Sequence, residues 1–267
     1  MMEDKSMSLE YSPRGLVGFL TPQANTTAEA EAQILLPNGM GLVNARLVSH
    51  QPSLEERLKD YFANLDTSIA QFGDAPLAAI GLAVTGASYF MGIDEEKNLL
   101  DQVSSWRGVP VISAGLAVRQ VLKTLEAKRI ALISPYPQAL LMNSKAYWVS
   151  DGFEVVDVAE VVPLKATENS SPTSHPVYSL GSGAAIQSLK ALKNTEADAI
   201  LFLGTGLPTL SGLLEATQII SKPVISCNLA LTWCCANVCH PALDPKKSLL
   251  AWMEGNHWKQ RFFERCL

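Results

Sequence analysis

Cysteine is missing from most of the chain: of 267 residues five are cysteine, and none precedes Cys227. An odd number crowded at one end gives no disulfide framework, so the thiols are expected to be reduced, as in a reducing compartment. Histidine is scarce too. Cys235, Cys239 and His240 approach a ligand spacing, but the remaining ligands of a metal site are absent and these cysteines read as structural helix residues. Nowhere do about 18 apolar residues run together, which argues against a spanning helix. Positive charge is in the minority, with a formal net charge of −5. A duplex nucleic acid, which wants a basic face, is therefore not an expected partner. The opening MMEDKSMSLEYSPRG lacks an apolar core and a cleavage site, so residues 1–14 read as a flexible tail. These absences lead to the expectation of a cytoplasmic protein that engages neither nucleic acid nor membrane.

What is present is apolar material in a regular order. With 48% apolar and only 18% charged residues, the chain can bury a core and is too apolar for disorder. Short β-branched runs predict strands at Leu16–Thr21, Leu42–Val48, Ala78–Val84, Pro110–Ser113, Arg129–Ser134, Glu154–Val158, Ala199–Leu203 and Pro223–Ser226. Amphipathic patterns between them predict helices at Thr27–Leu35, Leu54–Phe72, Glu95–Trp106, Ala114–Leu125, Gln138–Ser150, Ala184–Leu192, Leu210–Ile219 and Leu229–Val238, with a last one over Lys247–Glu264. Strands apolar on both faces belong in a parallel sheet covered by helices, and the βαβα alternation selects a doubly wound α/β fold.

The chain also echoes itself. LAAIGLAVTGAS (Leu77–Ser88) resembles DAILFLGTGLP (Asp198–Pro208). Downstream of each, VPVISAGLAV (Val109–Val118) resembles KPVISCNLAL (Lys222–Leu231). Two pairs in the same order indicate a duplicated unit, with chance likeness between buried strands as the bland alternative. The boundary is placed near Leu125–Arg129, giving a first half from residues 15–126 plus 228–267 and a second half from 127–227. Lys165–Gly183, rich in Ser, Pro and Gly, reads as a surface loop or lid.

In open α/β sheets a ligand sits at the carboxyl ends of the strands. Four such ends carry suitable residues. Thr26 with Glu29 fits a capping box after the first strand, which leaves the Asn25 amide to orient a carboxylate. Thr85-Gly86 and Thr205-Gly206 each combine a hydroxyl with glycine-freed backbone N–H groups, a nest for an anionic oxygen, although Thr-Gly after a strand is also an ordinary turn. Tyr136 lies between Pro135 and Pro137, which hold its ring stiffly; its role is either to aim the hydroxyl or to pack.

These residues resemble the aspartate/glutamate racemase superfamily, within it the maleate cis-trans isomerase and arylmalonate decarboxylase branch. PQANTTAEAE (Pro22–Glu31), AVTGASYFMG (Ala83–Gly92), ALISPY (Ala131–Tyr136), DAILFLGTGLPTL (Asp198–Leu210) and PVISCNLALTW (Pro223–Trp233) match in order over nearly the whole chain after the tail. The resemblance implies two pseudo-symmetric Rossmann-like halves, a substrate clamped in the cleft between them, and no metal or organic cofactor. It also implies a cysteine before the threonine of one or both turns. Val84 and Gly204 stand there instead, and neither can donate a proton or attack carbon. Asn25, Thr85, Gly86, Tyr136, Thr205, Gly206 and Asn228 fall where members of that family contact carboxylate or enediolate oxygens.

The expected function is thus a cofactor-independent lyase or isomerase acting on a small carboxylate or carbonyl compound through a held oxyanion, without a thiol-dependent racemase route. Tyr136, Thr85 and Thr205 would be catalytic. Asn25, Gly86, Gly206, Asn228, Val84 and Gly204 would line the substrate, and Cys227, His175 or water would be further proton sources. The alternatives are a carboxylate-binding protein that has lost catalysis, or a hydrolase using Thr85 or Thr205 as nucleophile with a base such as His50 or His175. The pocket is expected to be small, with Val84, Leu203 and Tyr89 as apolar lining and extra room at Gly204, suiting a substrate bulkier or less polar than maleate or aspartate. Relatives of this kind assemble as dimers or larger; no surface pattern here demands a homo-oligomer.

Overall fold

The computed structural model describes residues 9–164 and 176–266. Eight parallel strands form two four-stranded sheets, and all eight are strands that the apolar runs predict. The first sheet holds β1 (Leu16–Pro22), β2 (Gly41–Leu47), β3 (Ala79–Leu82) and β4 (Val111–Ser113) in the order β2-β1-β3-β4. The second holds β5 (Arg129–Ser134), β6 (Glu154–Glu160), β7 (Ala199–Phe202) and β8 (Val224–Ser226) in the order β6-β5-β7-β8. The two orders superimpose, β1 on β5 through β4 on β8. The echoed VIS segments are β4 and β8, and each ends in a serine, Ser113 or Ser226, whose side chain accepts from the N–H three residues on to start a helix. The central strands β3 and β7 are buried along their whole length, as parallel strands covered on both faces must be.

Helices cover both sheets. Among those placed by sequence are α1 (Ala28–Leu35), α5 (Ile93–Arg107), α6 (Ala114–Thr124), α7 (Gln138–Ser150), α8 (Ser182–Ala191), α9 (Leu210–Ile219) and α10 (Cys227–Cys239). Three departures have local causes. The predicted 54–72 helix divides at Asn64 into α2 (Leu54–Ala63) and α3 (Leu65–Ala70), because the Asn64 side chain turns back onto Asp60. The final helix divides into α11 (Pro245–Met253) and α12 (Lys259–Cys266) around Gly255, which adopts φ +79. A short α4 (Thr85–Met91) begins where a turn was expected. Residues 85–88 are small and polar and carry no apolar period; burial against its neighbours α2, α5 and α7 makes them helical.

α10 follows the second sheet yet packs on α6, α1 and β3 of the first, and α11 rests on α10 and α6. Gly81 of β3 is pressed between the Phe19 ring and Cys235 of α10, so that a Cβ there would lie 2.8 Å from the ring and 3.2 Å from the sulfur, which is why a strand interior carries glycine at that point. Trp148, Trp233 and Trp258 are fully buried, each worth ~3–5 kcal/mol on truncation to alanine. No helix among the described residues is long and apolar enough to cross a membrane.

Candidate active site

The carboxyl ends of β1, β3, β5 and β7 converge where the two halves meet. A cavity of about 40 Å³ lies there, lined by Pro22, Leu58, Val84, Thr85, Gly86, Tyr136, Leu140, Val177, Tyr178, Gly204, Thr205 and Gly206. The two Thr-Gly corners thus share one cavity with Tyr136. The volume is that of a water or so, and the Thr85, Tyr136 and Thr205 hydroxyls are all engaged within the protein.

The Thr85 hydroxyl and the Tyr136 hydroxyl, from opposite halves, are hydrogen-bonded at 2.7 Å. The Thr205 hydroxyl donates across the gap to the Ala83 carbonyl at 2.7 Å and accepts from Asn25 Nδ2 at 3.1 Å. Tyr136 N–H is held by Ser134 Oγ, the last residue of β5, which fixes where the ring leaves the strand. Burial raises the Tyr136 hydroxyl well above its usual 10, so it is a neutral phenol at physiological pH.

Asn25 and Asn228 are buried just behind the lining. Asn25 Oδ1 accepts from the Thr27 and Ala28 N–H groups at 2.9 and 3.0 Å, capping α1, while its Nδ2 holds Thr205. The Thr26–Glu29 capping box does not form. Thr27 is the N-cap and makes no side-chain cap bond, and Glu29 pairs instead with Arg46 at 3.0 Å. Asn228 Nδ2 donates to the Thr205 carbonyl at 3.0 Å and to Glu31 Oε2 at 2.8 Å.

The expected room at Gly204 is corrected by what fills it. A Cβ there would meet Pro135 at 3.1 Å and the Tyr136 hydroxyl at 3.4 Å, and the residue adopts φ +88. Of the expected apolar lining Val84 is present; Leu203 and Tyr89 are buried outside the cavity. Cys227 heads α10 with its thiol directed at the Phe202 carbonyl at 3.3 Å, and burial pushes it up to about 12. It is a protonated thiol, not a thiolate. His50 lines a different cavity, beside Arg46 and Asp60, and His175 lies outside the described residues, as do residues 165–174 of the expected loop and the first eight of the tail.

Sequence reading missed Glu31. It is buried, and its carboxylate accepts from the Thr209 and Leu210 N–H groups at 2.5 and 3.2 Å, from the Thr209 hydroxyl at 3.0 Å and from Asn228. Burial raises its carboxyl above the usual range, and those donors pull against it. A signal was present: Glu31 lies three and four residues before Ile34 and Leu35, on the buried stripe of α1, and a carboxylate in a core stripe must be paired. Tyr178 and Val177, in a 3₁₀ turn (Pro176–Ser179), close over Gly206, where a Cβ would come within 2.7 Å of the Tyr178 ring.

Residues 17–248 match the arylmalonate decarboxylase family model. A maleate isomerase from Pseudomonas putida is 26% identical over 77% of this chain and 90% of its own length. A maleate cis-trans isomerase from Nocardia farcinica, solved with a covalently bound succinylcysteine intermediate, superimposes with a TM-score of 0.71 at 22% identity, covering 84% of this chain and 92% of that one. The structure of an arylmalonate decarboxylase gives 0.68 at 17% identity, over 85% and 93%. The two structures share the fold.

Proposed function

The chain belongs to the arylmalonate decarboxylase family, and from that premise we propose that it takes a small carboxylic acid between its two Thr-Gly corners and turns it over through an enolate-like oxyanion. The expectation of an isomerase or lyase accords with its relatives. One observation carries the proposal: Thr85, Tyr136 and Thr205 come from three strand ends in two halves, meet in one cavity, and satisfy their hydroxyls on one another's surroundings. Groups arranged this way exchange internal partners for ligand oxygens at low cost. Each donor aimed at a developing oxyanion contributes on the order of 10²–10³ in rate.

The lining favours loss of a carboxylate over addition to a double bond. Among the described residues it contains no Lys, Arg or His, and Val84, Leu58, Leu140 and Val177 surround the donors. One carboxylate of a malonate-type acid would be held by hydroxyls; the second would lie against apolar walls, where an unpaired charge is unfavourable. Breaking the bond to that second carboxylate releases carbon dioxide and leaves its electron pair as an enediolate on the first. Tyr136, kept neutral by burial, then donates its proton to the enediolate carbon and recovers one from solvent as product leaves. Entry requires the turn carrying Tyr178 to move off Gly206, since about 40 Å³ is smaller than any such acid. Maleate isomerisation by thiol addition has no support, because Val84 and Gly204 carry no sulfur and Cys227 is a buried, protonated thiol.

Purified protein would be incubated with phenylmalonate, maleate, aspartate and glutamate and followed by proton NMR. Decarboxylation of phenylmalonate is expected, slowed ~10²–10⁴-fold in Tyr136→Phe. Rapid turnover of maleate or aspartate with phenylmalonate untouched would overturn the proposal. A second reading, carboxylate binding without catalysis, is favoured by one fact: Tyr136 and Cys227 both titrate far above neutrality. Thermal stabilisation by phenylmalonate with no product would select it. Among the described residues the hydroxyl-nucleophile alternative lacks a base, since Thr85 faces a phenol and Thr205 a carbonyl.

A further inference from the structure

Two glutamates are buried among the described residues, Glu31 and Glu96, and their partners differ in kind. Glu96, on α5, accepts from the Ser88 and Tyr147 hydroxyls, groups that can reverse their roles. Glu31 faces two donors that cannot, the backbone N–H groups at the start of α9, together with the Asn228 amide nitrogen and the Thr209 hydroxyl. That set is built for a carboxylate, and α1 supplies it from the other half of the molecule.

We propose that Glu31 is a positioning residue: a buried carboxyl group, fixed in α1, that locks the start of α9 and through Asn228 aims the Thr205–Gly206 corner at the substrate. The coupling is direct. The same Asn228 nitrogen spans Glu31 and the Thr205 carbonyl, at 2.8 and 3.0 Å. In a trans peptide the N–H points opposite to the carbonyl, so holding Thr205 O against Asn228 directs the Gly206 N–H away from α10. One turn earlier on α1, Thr27 donates to the Gly206 carbonyl at 3.0 Å, fixing the next peptide as well. The corner's two carbonyls are therefore both set from outside its own strand. The inference rests on the carboxylate-binding reading of that corner, whose own test is turnover.

In Glu31→Gln the side-chain amide N–H would face the Thr209 and Leu210 N–H groups in one orientation and the Asn228 nitrogen in the other, with only the Thr209 hydroxyl able to accept from it, whereas Glu96→Gln meets a hydroxyl at each oxygen. Amide hydrogen exchange on the full chain is measured for wild type and both variants, together with phenylacetate binding by calorimetry. In Glu31→Gln, exchange across residues 205–210 should speed about tenfold or more while β5 and β7 stay protected, and phenylacetate Kd should rise about tenfold, equivalent to ~1.4 kcal/mol. Glu96→Gln should leave exchange at 205–210 as in wild type. Unchanged exchange at 205–210 in Glu31→Gln overturns the proposal. So does a lower melting temperature with unaltered phenylacetate affinity, the signature of a purely structural residue. If Glu31→Gln does not fold, Thr209→Val removes one partner of the carboxylate and must show the same pattern in reduced degree. A wild type that ignores phenylacetate, with the corner still loosened by Glu31→Gln, would sink the carboxylate reading and leave Glu31 as the corner's lock.

Discussion

The two Thr-Gly corners descend from matching segments, yet they are built differently. At the first, Val84 is extended at φ −146 and the chain enters α4 at Thr85 itself. At the second, Gly204 turns the chain through φ +88 and a loop of several residues precedes α9 at Leu210. Thr85 makes one bond across the gap, to a side chain. Thr205 makes two, to a backbone carbonyl and to Asn25. Equal strands have delivered unequal corners: the first has an extended backbone before its threonine that side chains adopt without strain, and the second has a left-handed one that they do not. Of the two positions, only 84 has a backbone that would receive a cysteine easily.

The sharpest way to break this comparison is to put the same residue at both places. Gly204→Cys should cost about 2–3 kcal/mol, from left-handed backbone and the push against Pro135. Val84→Cys should cost only about 1 kcal/mol in lost packing. Equal urea midpoints for the two variants would mean the corners are not different after all. Removing the hydroxyls comes next. Thr205→Val strands Asn25 Nδ2 and the Ala83 carbonyl and should destabilise by about 2 kcal/mol, against about 1 kcal/mol for Thr85→Val. A reversed order would show that the Thr85–Tyr136 bond is the stronger tie between the halves.

A smaller effect should appear in pH dependence beside the first corner. Burial raises the Glu96 carboxyl above its usual 4.5. Its contribution to stability is then fully present below 4.5 and is lost as pH rises through the higher folded value. Glu96→Gln cannot ionise and should lose nothing over that range. Its melting temperature should therefore gain on wild type as pH rises from 4 to 8; a constant difference would contradict the raised carboxyl. The smallest effect concerns the thiols. With Cys227 pushed up to about 12 and buried while Cys266 is exposed, iodoacetamide at neutral pH should label Cys266 and spare Cys227. Comparable labelling of both in peptide mass spectra would reopen Cys227 as a reactive group.

Much of this was legible in the chain. Apolar runs of four to seven residues marked all eight strands, most plainly the central ones, because a strand buried on both faces leaves no room for polar residues. The Thr-Gly after β3 and β7 marked where the loops gather. The finer assignments were not legible. Asn25 looked free because the capping box beside it was plausible locally, and the structure uses Asn25 itself as the cap. α4 looked like a turn because Thr-Gly-Ala-Ser has no helical period, and only burial between helices makes it one.

The sequence alone determined the eight strands, the echo between the two halves and the family, since each depends on residues close together or on patterns that repeat along the chain. Tertiary structure alone decided that Gly204 is left-handed under Pro135 and Tyr136, that Tyr178 closes the cavity, and that Glu31 meets Thr209 from 178 residues away. A partner that distant imposes no spacing on the local pattern. Its choice is fixed only when packing brings the two halves to hydrogen-bonding distance.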